Sequence, residues 1–119
     1  MRSGGPQLAG QGHAFHAFED AAVEALVRRG YRVLARNYRI AGGEIDVIAC
    51  DGPTLCFVEV RARRSARFGA PEETVGRSKQ TRLRLAAEQY LSVHPQPSGC
   101  RFDVVAISHH EIRLIKDAF

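Results

Sequence analysis

A β-hairpin signal near the middle of the chain constrains the fold more than any other feature. Residues 44–50 and 55–63 are rich in Val, Ile and Phe, and Asp51-Gly52-Pro53 separates them. Turn residues between two strand-forming segments predict an antiparallel hairpin. A sheet therefore lies at the centre of the fold, and other elements must cover its apolar surface.

Pro53 selects the register of this hairpin. A two-residue Asp51-Gly52 turn would pair Cys50 with Pro53 at a hydrogen-bonded position, and proline has no N–H to donate. A four-residue loop over residues 51–54 avoids that conflict. It pairs Cys50 with Leu55, and this is the register that we predict.

The predicted register sets two carboxylates against each other. Counting back along both strands places Asp46 directly opposite Glu59, with Cβ atoms about 4.5–5.5 Å apart. Like charges in such a pair destabilise a sheet, so the pair should take up a proton or a cation. A hard divalent ion such as Mg²⁺ prefers carboxylates, carbonyls and water. A salt-bridge network with Arg61, or with an arginine of a neighbouring strand, is the alternative, and the hairpin alone leaves both open.

The two faces of the hairpin differ in polarity because side chains alternate across a strand. One face is expected to be wholly apolar, with Ile45, Val47, Ala49, Cys56, Val58, Val60 and Ala62. The other face is apolar only toward the turn, at Ile48, Leu55 and Phe57. Its far end carries Glu44, Asp46 and Glu59, and Glu44 is either an extra ligand or a partner for a neighbouring arginine. The charged end therefore lies at the mouth of a core, which is the geometry of a cleft.

Helical periodicity occurs on both sides of the hairpin. Apolar residues recur at helical spacing over residues 13–29, and Gly30 follows as a stop signal. A second helix is predicted over residues 79–93, with Ser78 as its N-cap. Each helix has an apolar stripe that should pack on the sheet.

Three further segments have strand composition. They are residues 31–39, 102–108 and 112–115, and the last two should form a hairpin through His109-His110. The order αβββαββ predicts an α/β (α+β) fold, a mixed sheet flanked by helices. Residues 1–12 are rich in Gly and are expected to form a flexible tail, and residues 13–119 are expected to form a single domain.

Each helix carries a polar residue on its apolar stripe. Glu19 lies in line with Ala22 and Leu26, so its carboxylate should face the sheet. A position at the edge of the stripe, with the acid turned toward water, is the alternative. Gln80 lies in line with Leu83 near the start of the second helix, where an interior glutamine is most often a satisfied hydrogen-bonding residue.

Composition and charge limit the classes of function. The chain has 17 Lys and Arg against 13 Asp and Glu, a net charge of +4 that favours polyanionic partners. The three cysteines form no CxxC or Cys/His cluster, so neither a disulfide framework nor a zinc site is indicated. No segment approaches the roughly 20 apolar residues of a membrane helix. We therefore expect a cytoplasmic protein with no membrane partner.

Basic residues surround the candidate cleft in the sequence. They are Arg63, Arg64, Arg67, Arg77, Lys79 and Arg82. Most basic runs are solvated surface, but the position of these residues beside the paired acids favours contact with phosphates.

Five motifs, in this order and spacing, resemble those of the YraN-like family of uncharacterised bacterial proteins. They are GGEIDVIACDG, LCFVEVRARRSARFG, a KQ pair that opens a helix, CRFDVVAI and IRLIKDAF. By fold this family belongs to the PD-(D/E)XK nuclease superfamily and is related to archaeal Holliday-junction resolvases. The resemblance covers residues 13–119 and implies a restriction-endonuclease-like αβββαβ core.

The resemblance also implies roles for individual residues. Asp46 matches the motif aspartate, Glu59 the acid of the ExK element, Glu19 the helical acid before the sheet, and Gln80 the helical polar residue after it. In active relatives the acids and the backbone carbonyl at the position of Val60 hold Mg²⁺ or Mn²⁺. The ion activates water to attack a phosphodiester.

Arg61 departs from the superfamily pattern, which has lysine at this position. A guanidinium stays charged, so it can position groups or stabilise negative charge but cannot transfer a proton. The implied catalytic set is Asp46, Glu59, Arg61 and Gln80. The first hypothesis is thus a magnesium-dependent endonuclease acting on DNA. Its substrate would be branched or structured DNA, and its process would be DNA repair. The alternatives are a catalytically weak or inactive nucleic-acid-binding module and a protein-interaction adaptor, and a homodimer is an open expectation.

Overall fold

The computed structural model describes residues 13–62, 74–108 and 111–119. In chain order these residues form α1 (His13–Arg28), β1 (Arg32–Ile40), β2 (Gly43–Asp51), β3 (Thr54–Ala62), α2 (Arg77–Val93), β4 (Cys100–Ile107) and β5 (Ile112–Ile115). The predicted α+β class and element order are confirmed. The predicted tail over residues 1–12 and the His109-His110 turn lie outside the described residues, and the division into a tail and a single domain stays a prediction.

Within the described ranges the sheet has five strands in the order β1-β2-β3-β4-β5. β3 and β4 are parallel, whereas the other neighbouring strands are antiparallel. Parallel neighbours need a crossover connection, and α2 lies in that connection. A mixed sheet with these helices is compatible with a restriction-endonuclease-like core.

The β2–β3 hairpin has the predicted register, because Cys50 pairs with Leu55. Asp51 and Thr54 also pair, so the loop is Gly52-Pro53 alone and not the four residues that were predicted. Gly52 makes this short turn in a left-handed conformation with φ of 61°. Pro53 therefore sets the register as expected, although the loop is tighter.

Over the described residues, a cluster of buried apolar side chains lies on each face of the sheet. The cluster under α2 includes Ile48, Leu55, Phe57, Leu83, Ala87, Tyr90 and Phe102. The cluster under α1 includes Ala22, Leu26, Val47, Val58, Val60, Val105 and Ile107. Burying a side chain of this size contributes about 1.5–3 kcal/mol, so these clusters fix both helices against the sheet.

Simple alternation predicted that Ile45 and Val47 share a face. Instead Ile45 packs in the cluster under α2, whereas Val47 packs in the cluster under α1. The reason is a break in the pairing of β1 with β2. Among the described residues, the pairing passes over Asn37 and Asp46 before it resumes at Tyr38 and Ile45. Asn37, the β1 residue at this break, has a positive φ of 53°. Asp46 thus lies at a local break in the sheet.

α2 begins at Arg77, two residues earlier than the sequence suggested, and packs closely on β2. Gly76, in an extended conformation, is the N-cap, so the prediction of Ser78 in this role is wrong. Ser78 already lies inside the first turn. At Gly43 a Cβ atom would overlap the carbonyl oxygen of Arg82, so glycine allows the close approach of helix and strand.

Among the described residues, no helix has both the length and the apolar character needed to cross a membrane.

Candidate functional site

A cavity of about 570 Å³ opens between β2, β3 and the start of α2. The described residues that line it are Glu44, Asp46, Glu59, Val60, Arg61, Ala62, Gly76, Ser78, Lys79 and Arg82. The structure therefore brings together, in a single cleft, most of the predicted site residues that it describes. Glu19, Gln80 and Arg77 are the described site residues that do not line this cavity.

Asp46 and Glu59 form a buried pair at the floor of the cleft. Their relative exposures are 5% and 6%, and the two carboxyl groups are in hydrogen-bonding contact. Backbone pairing of the described residues ends just before them, at Val47 and Val58. Oδ2 of Asp46 accepts a hydrogen bond of 2.8 Å from the N–H of Val60, which anchors the acid to β3. The predicted meeting of the two acids is therefore present in the structure.

Within the part of the chain that the structure describes, the charge of the buried pair is not fully compensated. Burial, together with repulsion from Asp46, raises the pKa of Glu59 from 4.5 to about 7, although Lys79 opposes the shift. Burial also raises the pKa of Asp46, although the N–H of Val60 and the carboxyl of Glu59 act in the opposite direction. Ionised carboxylates are acceptors only, so their mutual contact requires a proton or a cation between them.

Lys79, and not Arg61, is the cation beside the pair. Its Nζ lies 3.3 Å from Oε2 of Glu59, and the Lys79 side chain is 37% exposed. Arg61 lines the cavity but makes no ion pair with either carboxylate within the described part of the chain. The alternative in which Arg61 locks both acids in a salt-bridge network is therefore not what the structure shows.

Glu19 is fully buried on α1, as its position on the apolar stripe predicted. Its Oε1 accepts a hydrogen bond of 3.2 Å from Asn37 and lies 3.5 Å from Nη2 of Arg36. Its Oε2 is buried with no hydrogen-bond partner among the described residues. Burial and then repulsion from Asp46 raise the pKa of Glu19, although Asn37 and Arg36 oppose this. Glu19 thus affects Asp46 electrostatically from the α1 side of the sheet break.

The acids fit a metal ion as a pair. No group of three or more His, Cys, Asp and Glu side chains in the described ranges is arranged to hold a metal. Mg²⁺ is commonly bound by one or two carboxylates together with waters and substrate phosphates, so Asp46 and Glu59 suffice as protein donors. The backbone of Val60 lies next to this pair, and Glu19, whose Oε2 is unpartnered among the described residues, is repelled by Asp46. Metal binding at these residues stays a prediction.

Gln80 has a structural contact. Its Nε2 donates a hydrogen bond of 2.8 Å to the carbonyl of Val75, a buried residue just before α2. Gln80 therefore ties the start of the helix to the preceding loop, which is the ordinary role of an interior glutamine. A catalytic role for Gln80 stays a prediction.

The predicted phosphate-binding residues divide into three groups. Lys79 and Arg82 line the cavity, whereas Arg77 is exposed at the first position of α2. Arg63, Arg64 and Arg67 lie outside the described residues. Within the described residues, α2 has no acidic residue in its first turn and no side-chain cap. The positive end of the helix dipole therefore adds to the charge of these cations.

The structure shows one of the two roles left open for Glu44, and one feature of the site was missed in the sequence. Glu44 pairs with Arg39 at 3.2 Å, so it is the partner of a neighbouring arginine. Lys79 was assigned only to phosphate contact, and its ion pair with Glu59 was not predicted. The spacing of Lys79, Leu83 and Tyr90 on one helical face was the signal that could have placed Lys79 toward the sheet.

A different buried acid, Asp103, was also missed. It lies on the α1 side of the sheet and is fully buried. It accepts hydrogen bonds from the hydroxyl of Tyr31 at 2.9 Å, from Nε of Arg101 at 2.8 Å and from the N–H of Asp117 at 2.9 Å. Arg101 also binds Asp51 at 2.8 Å. Burial raises the pKa of Asp103, but Arg101, Asp117 and Tyr31 lower it more, so the net shift is downward.

Comparison with known proteins places the chain in a family. The model of "Uncharacterised protein family UPF0102" matches residues 18–107. A UPF0102 protein of Janthinobacterium sp. (strain Marseille) is 45% identical over 112 residues, which cover 94% of this chain and 87% of that relative. One from Chlorobium phaeobacteroides (strain BS1) is 51% identical over 94 residues, covering 78% and 75%. One from Symbiobacterium thermophilum is 48% identical over 109 residues, covering 87% and 92%. The chain therefore belongs to the UPF0102 family, the YraN-like family that its motifs resemble.

Proposed function

We propose that this protein is a metal-dependent endonuclease that hydrolyses phosphodiester bonds of DNA, with branched or otherwise structured DNA as its substrate class. The observation that supports this most strongly is the buried Asp46–Glu59 pair at the floor of a cleft whose rim is basic. Such a pair of acids with perturbed pKa values in a cleft is typical of a functional site. A cytoplasmic location, a homodimeric state and a place in DNA repair belong to the same proposal.

Asp46 and Glu59 would hold the Mg²⁺ or Mn²⁺ ion, with the backbone carbonyl of Val60 and the carboxylate of Glu19 beside them. When bound, such an ion supplies an activated water and stabilises charge on phosphate oxygens. The chain prepares the ion's place by burying both acids and by fixing Asp46 through the N–H of Val60. Metal binding releases the proton that the acids share, so it becomes tighter as the pH rises.

The basic residues of the cleft would bind the phosphates of the substrate. Lys79, Arg61 and Arg82 line the cavity, and the N-terminus of α2 adds positive potential. Arg77 and the arginines at 63, 64 and 67 extend this surface in the sequence. Each phosphate contact releases counterions, so the affinity should fall steeply with salt.

Arg61 supports a second function, that of a nucleic-acid-binding module with weak or no catalysis. A guanidinium cannot accept a proton at neutral pH, so Arg61 assists only by its charge. The cleft would then bind phosphates without efficient hydrolysis. Both functions use the cations of the cleft to bind phosphates. They differ in whether the acids support hydrolysis.

Titration of Mg²⁺ or Mn²⁺ into the purified protein with labelled duplex, single-stranded and four-way-junction DNA tests the proposal. We expect cleavage that is lost in Asp46→Ala and Glu59→Ala. Glu24→Ala is the matched control, because Glu24 is an exposed acid of α1 that pairs with Arg28. Its removal changes the net charge equally and should leave cleavage intact.

The other outcomes each have a meaning. Salt-sensitive binding without cleavage at any metal concentration contradicts the nuclease and supports the binding module. Absence of binding at low salt contradicts both functions and favours a protein-interaction adaptor.

A further inference from the structure

Lys79 occupies a special position between the acids and the mouth of the cleft. It lies in the first turn of α2, four residues before the buried Leu83 and thus on the same helical face. Its Nζ is 3.3 Å from Oε2 of Glu59, whose side chain is 8% exposed. The Lys79 side chain is 37% exposed, so it connects the buried acid with the open part of the cavity.

Arg61 and Arg82, the other described cations of the cleft, lack this contact. Arg61 and Arg82 line the same cavity, yet within the described residues neither forms an ion pair with Asp46 or Glu59. Among the described cations of the cleft, Lys79 is therefore the one that already forms an ion pair with Glu59. Its availability to a phosphate depends on what else binds Glu59.

Lys79 and a divalent ion at the acids would need the same carboxylate. Glu59 would offer such an ion the oxygen atoms that now face Nζ, and the ammonium group would be repelled by the double charge. The flexible stem of lysine allows its head to move toward the cavity. A phosphate oxygen that enters the cavity is then the nearest new anion for it.

We propose, resting on the function proposed above, that Lys79 is a phosphate-contacting residue of this cleft and that Glu59 holds it in the metal-free protein until a divalent ion replaces it. Binding of the ion and binding of the nucleic acid are then positively coupled. This coupling is reciprocal, so the nucleic acid also tightens binding of the ion.

The test measures the loss of affinity that Lys79→Met causes in three states, using a fluorescently labelled four-way DNA junction at fixed ionic strength. Methionine keeps a stem of similar length but carries no charge. In wild-type background with EDTA we expect a loss of less than about twofold, because Glu59 already holds the lysine. With Ca²⁺, which takes the same oxygen ligands as Mg²⁺, we expect a loss of about tenfold. In Glu59→Gln background with EDTA we again expect about tenfold, since the lysine is free there.

Arg82→Met is the matched control. Arg82 lies on the same helix and lines the same cavity, so its loss should weaken binding by a similar factor in all three states. A second readout needs no nucleic acid. Lys79→Met should bind Ca²⁺ about threefold or more tightly than the wild type in calorimetry, because a competing cation has been removed.

The outcomes separate this inference from the proposed function. Equal losses for Lys79→Met in all three states, or no loss in any, would overturn the role of Lys79 even if the protein binds and cleaves DNA. Unchanged Ca²⁺ affinity would overturn the competition for Glu59. A wild-type protein that binds no junction at low salt would refute the phosphate contact together with the proposed function.

Discussion

Asp103 and the Asp46–Glu59 pair are buried to a similar degree on opposite faces of one sheet, yet their surroundings differ. Asp103 receives hydrogen bonds from Tyr31, Arg101 and a backbone N–H, and its pKa is lowered. Asp46 and Glu59 face each other with Lys79 as their neighbouring cation, and their pKa values are raised. Burial acts in the same direction on all of these acids, so the supply of donors decides the sign.

The difference distinguishes an acid whose burial is compensated by donors from acids whose burial the described donors do not compensate. Donors around Asp103 come from the ends of several elements, so the acid joins those elements together. The acids of the cleft have a deficit of positive charge that the described residues leave unfilled. A buried carboxylate is therefore informative about function only after its donors have been examined.

The largest expected effect comes from removing the charge of Asp103, the acid whose burial is compensated by donors. Asp103→Asn leaves the Arg101 guanidinium without a buried counter-charge, and we expect a loss of about 3–5 kcal/mol in the free energy of unfolding. Asp46→Asn removes a repulsion, so stability should stay the same or rise at pH 8. Urea unfolding of both variants with EDTA measures this contrast. Equal losses in the two variants would contradict it.

The cleft should depend on the close packing of α2 on β2. In Gly43→Ala the new Cβ would overlap the carbonyl of Arg82, and backbone can move little, so we expect a loss of about 1–3 kcal/mol. Binding of nucleic acid in the cleft should weaken as well. Gly76→Ala is the control, because a Cβ there meets no atom within 4 Å and should cost less than about 1 kcal/mol. Similar losses for both variants in unfolding experiments would disprove the packing argument.

The pH dependence of stability should distinguish the two regions. Glu59 titrates near pH 7 in the folded chain against 4.5 as its ordinary value, so the folded state binds the extra proton between these limits. Stability of the metal-free protein should therefore fall as the pH rises from 5 to 8, by on the order of 1–2 kcal/mol. Asp103, with its lowered pKa, stays ionised over this range, so its contribution to stability is constant there. That contribution is lost only as the pH falls below about 4. Unfolding curves of Glu59→Gln should lose most of the slope, and an unchanged slope would assign it to another group.

The smallest effect tests one donor of the compensated region. Tyr31→Phe removes the hydrogen bond that the hydroxyl donates to Asp103 and the one of 3.0 Å that it accepts from Arg101. Arg101 keeps its bonds to Asp103, so we expect a loss of about 1 kcal/mol. Tyr38→Phe is the control, because among the described residues its hydroxyl has no hydrogen-bond partner while its ring packs on Tyr90. Thermal unfolding of both variants measures the difference. A larger loss for Tyr38→Phe would show that the assignment of donors is wrong.

Much of the cleft could be predicted because its parts are close in the sequence. The steric rule at Pro53 selected the hairpin register, and that register brought Asp46 and Glu59 together. The helical stripe likewise predicted the burial of Glu19. These inferences need only strand alternation, helical periodicity and the geometry of one turn.

The remainder depends on contacts between distant segments. Ile45 changes face beside the break at Asn37 and Asp46 in the pairing of β1 with β2, and no local pattern in the sequence predicts this break. Tyr31 and Asp103 are 72 residues apart, so sequence reasoning could not match the acid with its donors. The choice of Lys79 over Arg61 as the partner of Glu59 depends on where α2 packs on the sheet.

The hydrogen bond from the N–H of Val60 to Asp46 bears on the proposed binding of an ion in the cleft. In the β2–β3 ladder the N–H of Val60 would ordinarily bind a backbone carbonyl of β2, and the carboxylate of Asp46 takes the place of that carbonyl. The acid is therefore held as firmly as part of the strand. The entropy of ordering this side chain is therefore lost during folding and not on binding, which favours tight capture of an ion. The Val60 amide is also a built-in spectroscopic reporter. Its proton resonance and its rate of exchange with deuterium should respond first when a cation reaches Asp46.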